Sequence, residues 1–155
     1  MKRVICIVLA AILMVGVLSA CGGSAKAVDL KTVMNDINSK YGLTGLKTLE
    51  SVDDLNRYYT INTADVKQFD AELSTAASQY TEVVLVEAND QTAADNVKKQ
   101  LETHLAGQLS NAKSYDAGQV AMIESCSVKQ AGNIVYLVVS DKFSDITGAV
   151  EAALK

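Results

Sequence analysis

One cysteine, Cys21, stands at the end of a long apolar run near the start of the chain, VICIVLAAILMVGVLSAC, and the small residues GGSAKA follow it at once. A thiol that an apolar segment holds at a membrane surface can be alkylated by a lipid donor. Small residues before the thiol leave room for a protease. The pattern therefore indicates that the protein is covalently modified and cut at Cys21.

The run before Cys21 has the three parts of an export segment. Two basic residues open it, residues 4–18 form an apolar centre, and small residues at positions 19 and 20 precede the thiol. The alternative is a transmembrane helix, which needs roughly 20 predominantly apolar residues. Because residues 4–20 fall short of that length, we predict a cleaved signal peptide over residues 1–20.

The four residues Leu18-Ser19-Ala20-Cys21 resemble the lipobox of bacterial lipoproteins. The resemblance implies that the Cys21 thiol receives a diacylglyceryl group and that a signal peptidase cuts between Ala20 and Cys21. Residues 21–28 then form the lipidated cysteine and a short flexible tether, in which GGSAKA has a reach of about 20 Å. We expect a protein that is lipid-anchored at the extracytoplasmic face of the cell membrane.

The charge balance narrows the choice of partners. The chain has a formal net charge of −4, and loss of Lys2 and Arg3 with the signal peptide would make it −6, since residues 1–20 contain no acid. Nucleic-acid binding needs clustered lysine and arginine to neutralise phosphates. No nucleic-acid partner is therefore expected, and the acidic domain is repelled by an anionic lipid surface.

Only the Cys126 thiol is left outside the membrane once Cys6 is removed and Cys21 is lipidated. No internal disulfide can form, so the apolar core must hold the domain together. We predict that Cys126 is a small buried hydrophobe on a strand. Glu124 falls on the same nominal face and would need a bulge or a partner charge.

His104 is the only histidine and stands beside the Leu101 and Leu105 positions of a predicted helix. Zinc and copper sites need several His or Cys ligands at defined spacing, so neither a metal nor another cofactor is predicted. We expect His104 at the edge of the core. A catalytic pair with Cys126 stays open only if the fold joins the two; otherwise the sequence predicts no enzyme, because no catalytic motif is present.

Six tyrosines stand against two phenylalanines and no tryptophan. Four of the tyrosines lie near predicted element ends, where an aromatic ring with a polar tip suits a protein contact. The candidate interaction surface consists of Tyr58, Tyr59, Tyr80 and Tyr115. The alternative is that these rings close the edges of the core.

The elements that must position these residues begin after the tether. Asp29 can cap a first helix whose apolar residues follow helical spacing. Ser51, with acidic residues in the next turn, predicts a second helix through about Tyr58. Residues 63–68 are predicted as a brief helical turn before a weakly alternating segment, FDAELS.

The second half of the chain carries stronger signals. TEVVLVEA is apolar on both faces, as in a strand inside a sheet, and Asp90 can cap a long helix over about residues 91–113. The segments QVAMIESCSVKQ and NIVYLVVS are predicted strands joined by a turn at Ala131-Gly132-Asn133. A last helix is predicted over about residues 143–154.

These elements predict a single α+β domain over residues 29–155. Its antiparallel sheet has three to four strands, with the long helix and the C-terminal helix on one face and the N-terminal helices covering the other face or an edge. Two of the strands are apolar on both faces, which indicates cover on both sides. A homodimer is the alternative way to bury the second face.

From about Asp29 onward the chain resembles a family of small bacterial lipoproteins described as domain of unknown function 4358. The resemblance rests on YTEVVLVEAND, with Glu82 before the strand, on VKKQLETHLAGQ, on Tyr115 ahead of a strand and on AGNIVYLVVSD. Family members often have a proline shortly after this tyrosine, whereas this chain has YDAGQV, which predicts a different loop. The resemblance implies a lipoprotein and leaves its biochemical role open.

The sequence therefore predicts a non-enzymatic extracytoplasmic lipoprotein that binds a protein, a peptide or an envelope component. Two alternatives stay open. A small-ligand carrier would need a concave apolar pocket. A hydrolase or thiol enzyme that uses Cys126 would need that thiol within reach of solvent.

Overall fold

The computed structural model describes residues 28–76 and 79–155. The predicted signal peptide, the lipidation site Cys21 and residues 21–27 of the tether lie outside the described residues. The described helices are α1 (Leu30–Tyr41), α2 (Val52–Tyr59), α3 (Gln91–Tyr115), α4 (Val120–Ser125) and α5 (Phe143–Ala153). The strands are β1 (Lys47–Thr48), β2 (Val66–Leu73), β3 (Glu82–Ala88), β4 (Val128–Ala131) and β5 (Ile134–Val139).

The strands form one antiparallel sheet in the order β1-β2-β3-β5-β4. In the middle of β3, Leu85 lies opposite Asp70 of β2 and Tyr136 of β5. The predicted α+β class and antiparallel sheet are confirmed. The sheet has five strands, because residues 69–73 of FDAELS belong to the strand β2 and the two residues of β1 pair with the end of β2.

Capping signals place the helix starts as predicted. The side chains of Asp29, Ser51 and Asp90 accept hydrogen bonds from backbone N–H groups in the first turns of α1, α2 and α3. The predicted hairpin is also confirmed, since Ala131 pairs with Ile134 across a two-residue turn. Gly132 has a φ of +58° in this turn, a region that glycine enters without strain.

Alternate residues of β3 and β5 face two different helix layers. One layer contains α2, α3 and α4 and packs on Val84, Val86 and Leu137. The other layer contains α1 and α5 and packs on Leu85 and Val138. Both faces of the sheet are therefore covered by helices of the same chain, as the two-sided apolar strands predict.

The prediction that the long helix and the C-terminal helix share a face is wrong. Val97 and Leu101 of α3 pack on one side of the sheet, whereas Ile146 and Val150 of α5 pack on the other side with α1. The 25 residues of α3 extend for about 37 Å along their face. The opposite face is covered by α1 and α5, which are both shorter than α3, and α2 lies in the layer of α3.

The prediction of a strand over QVAMIESCSVKQ is wrong in its first part. Val120–Ser125 is the short helix α4, and β4 begins only at Val128. Ala, Met and Glu favour the helix, and a short apolar run has no clear period that separates helix from strand. No bulge is needed at Glu124, because its side chain is half exposed and lies 2.9 Å from the Lys113 ammonium. Likewise, the predicted turn at residues 63–68 is helical only over Thr63–Asp65.

Candidate functional site

A buried polar cluster joins Glu82, His104 and Tyr59, which come from β3, α3 and α2. Glu82 is only 1% exposed. The His104 Nε2 atom lies 3.1 and 3.2 Å from the two carboxylate oxygens, and the Tyr59 hydroxyl donates to Oε2 at 2.9 Å. The Tyr59 and His104 rings also pack together, with centroids 4.6 Å apart. The cluster therefore connects α2 and α3 to the start of the central strand β3.

The electrostatics of the cluster keep the Tyr59 hydroxyl protonated, so that it can donate a hydrogen bond. Burial, followed by the adjacent Glu82 carboxylate, raises the pKa of Tyr59 far above its ordinary value. A carboxylate this deeply buried needs hydrogen-bond donors, and Tyr59 and His104 fill that need. The three side chains therefore act as a structural clip.

The fold does not join His104 to Cys126 as a catalytic pair. Among the described residues, the side-chain hydrogen bonds of His104 go to Glu82 alone. The Cys126 thiol instead donates to the Met122 carbonyl at 3.2 Å. Cys126 is 8% exposed, which confirms a small buried hydrophobe, although it follows α4 and does not lie on a strand.

An open apolar groove lies beside Cys126, between α3, α4 and the start of β4. It measures about 320 Å³, and its apolar lining consists of Leu105, Ala106, Leu109, Ile123, Cys126 and Val128. Two acidic side chains, Glu102 and Glu124, flank it, and each lies within 4 Å of a lysine on α3, at 3.9 and 2.9 Å. The volume is at the small end of the range for ligand pockets. This groove is the best candidate for a binding site in the described residues.

The structure separates the four tyrosines of the predicted interaction surface. Tyr115, at the end of α3, is 87% exposed. Tyr58 and Tyr80 are partly buried against the core, and the Tyr58 hydroxyl accepts a hydrogen bond from Lys47 at 3.1 Å. Tyr59 is only 2% exposed, so its assignment to a surface is wrong. Its hydroxyl is satisfied inside the molecule by Glu82.

The sequence carried a partial signal for the buried cluster and none for the groove. Glu82 is an acidic residue directly before the apolar run VVLV of β3, and His104 stands one turn after Leu101 on the apolar side of α3. Each position is unusual alone, but the sequence does not show that the two side chains meet. The groove was not predicted, because one wall of it is α4, which the sequence pattern assigned to a strand.

No group of three or more His, Cys, Asp or Glu side chains in residues 28–76 and 79–155 is arranged to hold a metal ion. Within the same ranges, every helix is too short or too polar to cross a membrane.

Comparison with known proteins gives one match. A family model with the description "Domain of unknown function (DUF4358)" matches residues 39–140. The matched stretch is more than half of the chain, runs from the end of α1 to the end of β5, and contains both the buried cluster and the groove. No curated protein and no solved structure matches the chain.

Proposed function

We propose a function from the premise that this chain belongs to the family described as domain of unknown function DUF4358. The protein is a lipid-anchored extracytoplasmic binding module. It holds an apolar segment of a protein, peptide or envelope component in the groove between α3 and α4. The open apolar groove is the observation that carries the proposal, since Glu82 and Tyr59 of the buried cluster are almost fully covered.

The anchor is supported by the sequence around Cys21, where the small residues Ser19 and Ala20 precede the thiol. The tether that follows leads directly into the folded domain. The first described residue, Val28, is held by the side chain of Gln68, which donates to its carbonyl at 2.7 Å. The tether therefore has at most the residues between Cys21 and Val28 to span the distance to the lipid.

The position of the groove supports a partner other than the lipid anchor. Val28 packs with the layer of α1 and α5, whereas the groove belongs to the layer of α3 and α4 on the opposite side of the sheet. A sheet with a helix layer on each face places these two sites well apart. The groove thus lies on the opposite side of the sheet from Val28 and is open to a second molecule.

The half-buried leucines of the groove supply the binding energy in this proposal. Leu105 and Leu109 pack against the core on one side and border the groove on the other. Covering apolar surface contributes roughly 25 cal/mol per Å², so a few apolar side chains of a partner are enough for a weak, specific contact. A small apolar ligand is the second candidate, because the groove volume of about 320 Å³ also fits a small molecule.

The experiment places a photo-crosslinking residue at Glu102, on the groove rim, and in a matched variant at Ala152, which is exposed on α5 in the other layer. We expect irradiated cells to give adducts from position 102 and not from position 152. In a third variant, the additional change Ala106→Arg fills the groove from an exposed position on α3 and should reduce the adduct at least tenfold. Mass spectrometry then identifies the adduct as a polypeptide or as a small molecule.

Two outcomes would overturn the groove as the binding site. One is equal adduct formation from positions 102 and 152, which would indicate random collisions. The other is an adduct from position 102 that Ala106→Arg leaves unchanged. An adduct to a small apolar molecule, removed by Ala106→Arg, would select the carrier function over the protein-binding function.

A further inference from the structure

Helix α1 lies along strand β2 and is held there at two points. Near the start of the helix, the Gln68 side-chain oxygen accepts from the Leu30 N–H at 3.3 Å. Near its end, the Asn38 amide donates to both Glu72 carboxylate oxygens at 3.0 Å. Gln68 and Glu72 are four residues apart on a strand, so both side chains project from the same face. Asp70, between them, projects from that face too.

Asp70 is the one side chain of these three without a hydrogen-bond partner. Its Oδ1 atom is buried, and no donor among the described residues reaches it. The residue that pairs with Asp70 on β3 is the apolar Leu85. A buried carboxylate oxygen without a donor is most costly when the group is charged, and the cost of burying the charge disappears when the carboxyl group takes up a proton.

The charges that face Asp70 add to this cost. Glu72 lies on the same strand, Asp29 and Lys31 lie at the start of α1, and Glu50 lies before α2. Three of these four groups are acidic. Burial and then the Glu72 charge raise the pKa of Asp70 to about 6, and Lys31 offsets only part of the effect.

We propose that Asp70 is a proton-operated latch for helix α1. When Asp70 carries a proton, α1 stays packed along β2. When Asp70 ionises, the packing between α1 and β2 weakens. The first element after the tether would then detach more often. The 12 residues of α1, if released, would lengthen the tether by about 40 Å. This lengthening depends on the lipid anchor proposed above, whereas the latch itself does not.

The direction of the pH effect follows from the raised pKa. The folded protein binds the Asp70 proton more tightly than the unfolded chain, in which the pKa is near the ordinary 3.8. The contribution of Asp70 to the stability of α1 on the sheet is therefore fully present below about pH 4. It is lost as the pH rises from about 4 to about 6, and it stays constant above that range.

The test is hydrogen–deuterium exchange of the full chain, extracted from membranes in detergent, at pH 5 and pH 7.5 with rates corrected for intrinsic exchange. In the wild type we expect local opening of α1 to increase about tenfold at the higher pH. The contribution is lost over about two pH units, of which only the upper one lies between pH 5 and pH 7.5, and one unit corresponds to about a tenfold change. Peptides from α5, in the same layer, serve as the internal reference and should change less.

The variant Asp70→Asn should keep α1 equally protected at both pH values, because the amide carries no charge. The control Asp36→Asn removes an exposed carboxylate from α1 and should behave as the wild type. A pH response of α1 that persists in Asp70→Asn, or a wild-type response shared equally by α5, would overturn the latch. No ligand takes part, so failure of the latch and failure of the groove proposal are distinguishable.

Discussion

Replacing His104 with leucine is expected to lower the free energy of unfolding by about 3 kcal/mol, because the Glu82 carboxylate then stays buried without its histidine partner. Leucine fills a similar volume, so the loss reports on the missing contact and not on a large cavity. Urea denaturation of the wild type and the variant measures the difference. The matched control Glu102→Gln changes an exposed side chain on the same helix and should change the free energy by less than about 0.5 kcal/mol.

A double-mutant cycle shows whether the buried cluster acts as one unit. The change Glu82→Gln keeps an acceptor for the Tyr59 hydroxyl and removes the charge that needs His104. We expect His104→Leu to cost less in the Glu82→Gln background than in the wild type, with a coupling of about 2 kcal/mol. Additive effects of the two changes, or a stability of His104→Leu within about 0.5 kcal/mol of wild type, would show that the clip does not support the fold.

Exchanging Cys21 for alanine is expected to abolish lipid attachment completely, because alanine has no thiol to carry the diacylglyceryl group. The protein should then be released from the membrane or remain as an uncut precursor. Metabolic labelling with a tagged fatty acid, followed by immunoprecipitation, measures the attachment. The chain offers matched controls in its other two cysteines: Cys6→Ala and Cys126→Ala should both keep the label.

Two labelling results would contradict the anchor at Cys21. One is a Cys21→Ala protein that still incorporates the fatty acid. The other is loss of the label in Cys126→Ala, which would place the lipid on a thiol that the structure buries at 8% exposure.

Local chemistry made much of the fold predictable. A cap acts within one turn of its helix, so Asp29, Ser51 and Asp90 identify helix starts without any knowledge of the rest of the molecule. The strand β3 is equally clear, because a run of β-branched residues that is apolar on both faces fits the middle of a sheet.

Properties that depend on tertiary packing were harder to predict. Both faces of β3 and β5 are apolar, so each face needs to be covered by helices. The pattern does not indicate on which face α5 packs. The six residues of α4 are too few to establish a period. The groove, which α4 helps to form, was missed for the same reason.

The buried cluster shows the same division between local and tertiary information. Glu82 and His104 are 22 residues apart, and only the path of α3 across the sheet brings their side chains to 3.1 Å. Tyr59 was predicted at a surface because it lies at a helix end. Its neighbour Tyr58 is partly exposed at that end, whereas Tyr59 points inward to Glu82.

The most direct test of the proposed membrane-anchored module is the mass of its N-terminal peptide after extraction from membranes. We predict a peptide that begins at Cys21 and carries the additional mass of a diacylglyceryl group on that residue. A mature N-terminus at any other residue, or a peptide that begins at Cys21 with a free thiol, would contradict the proposal.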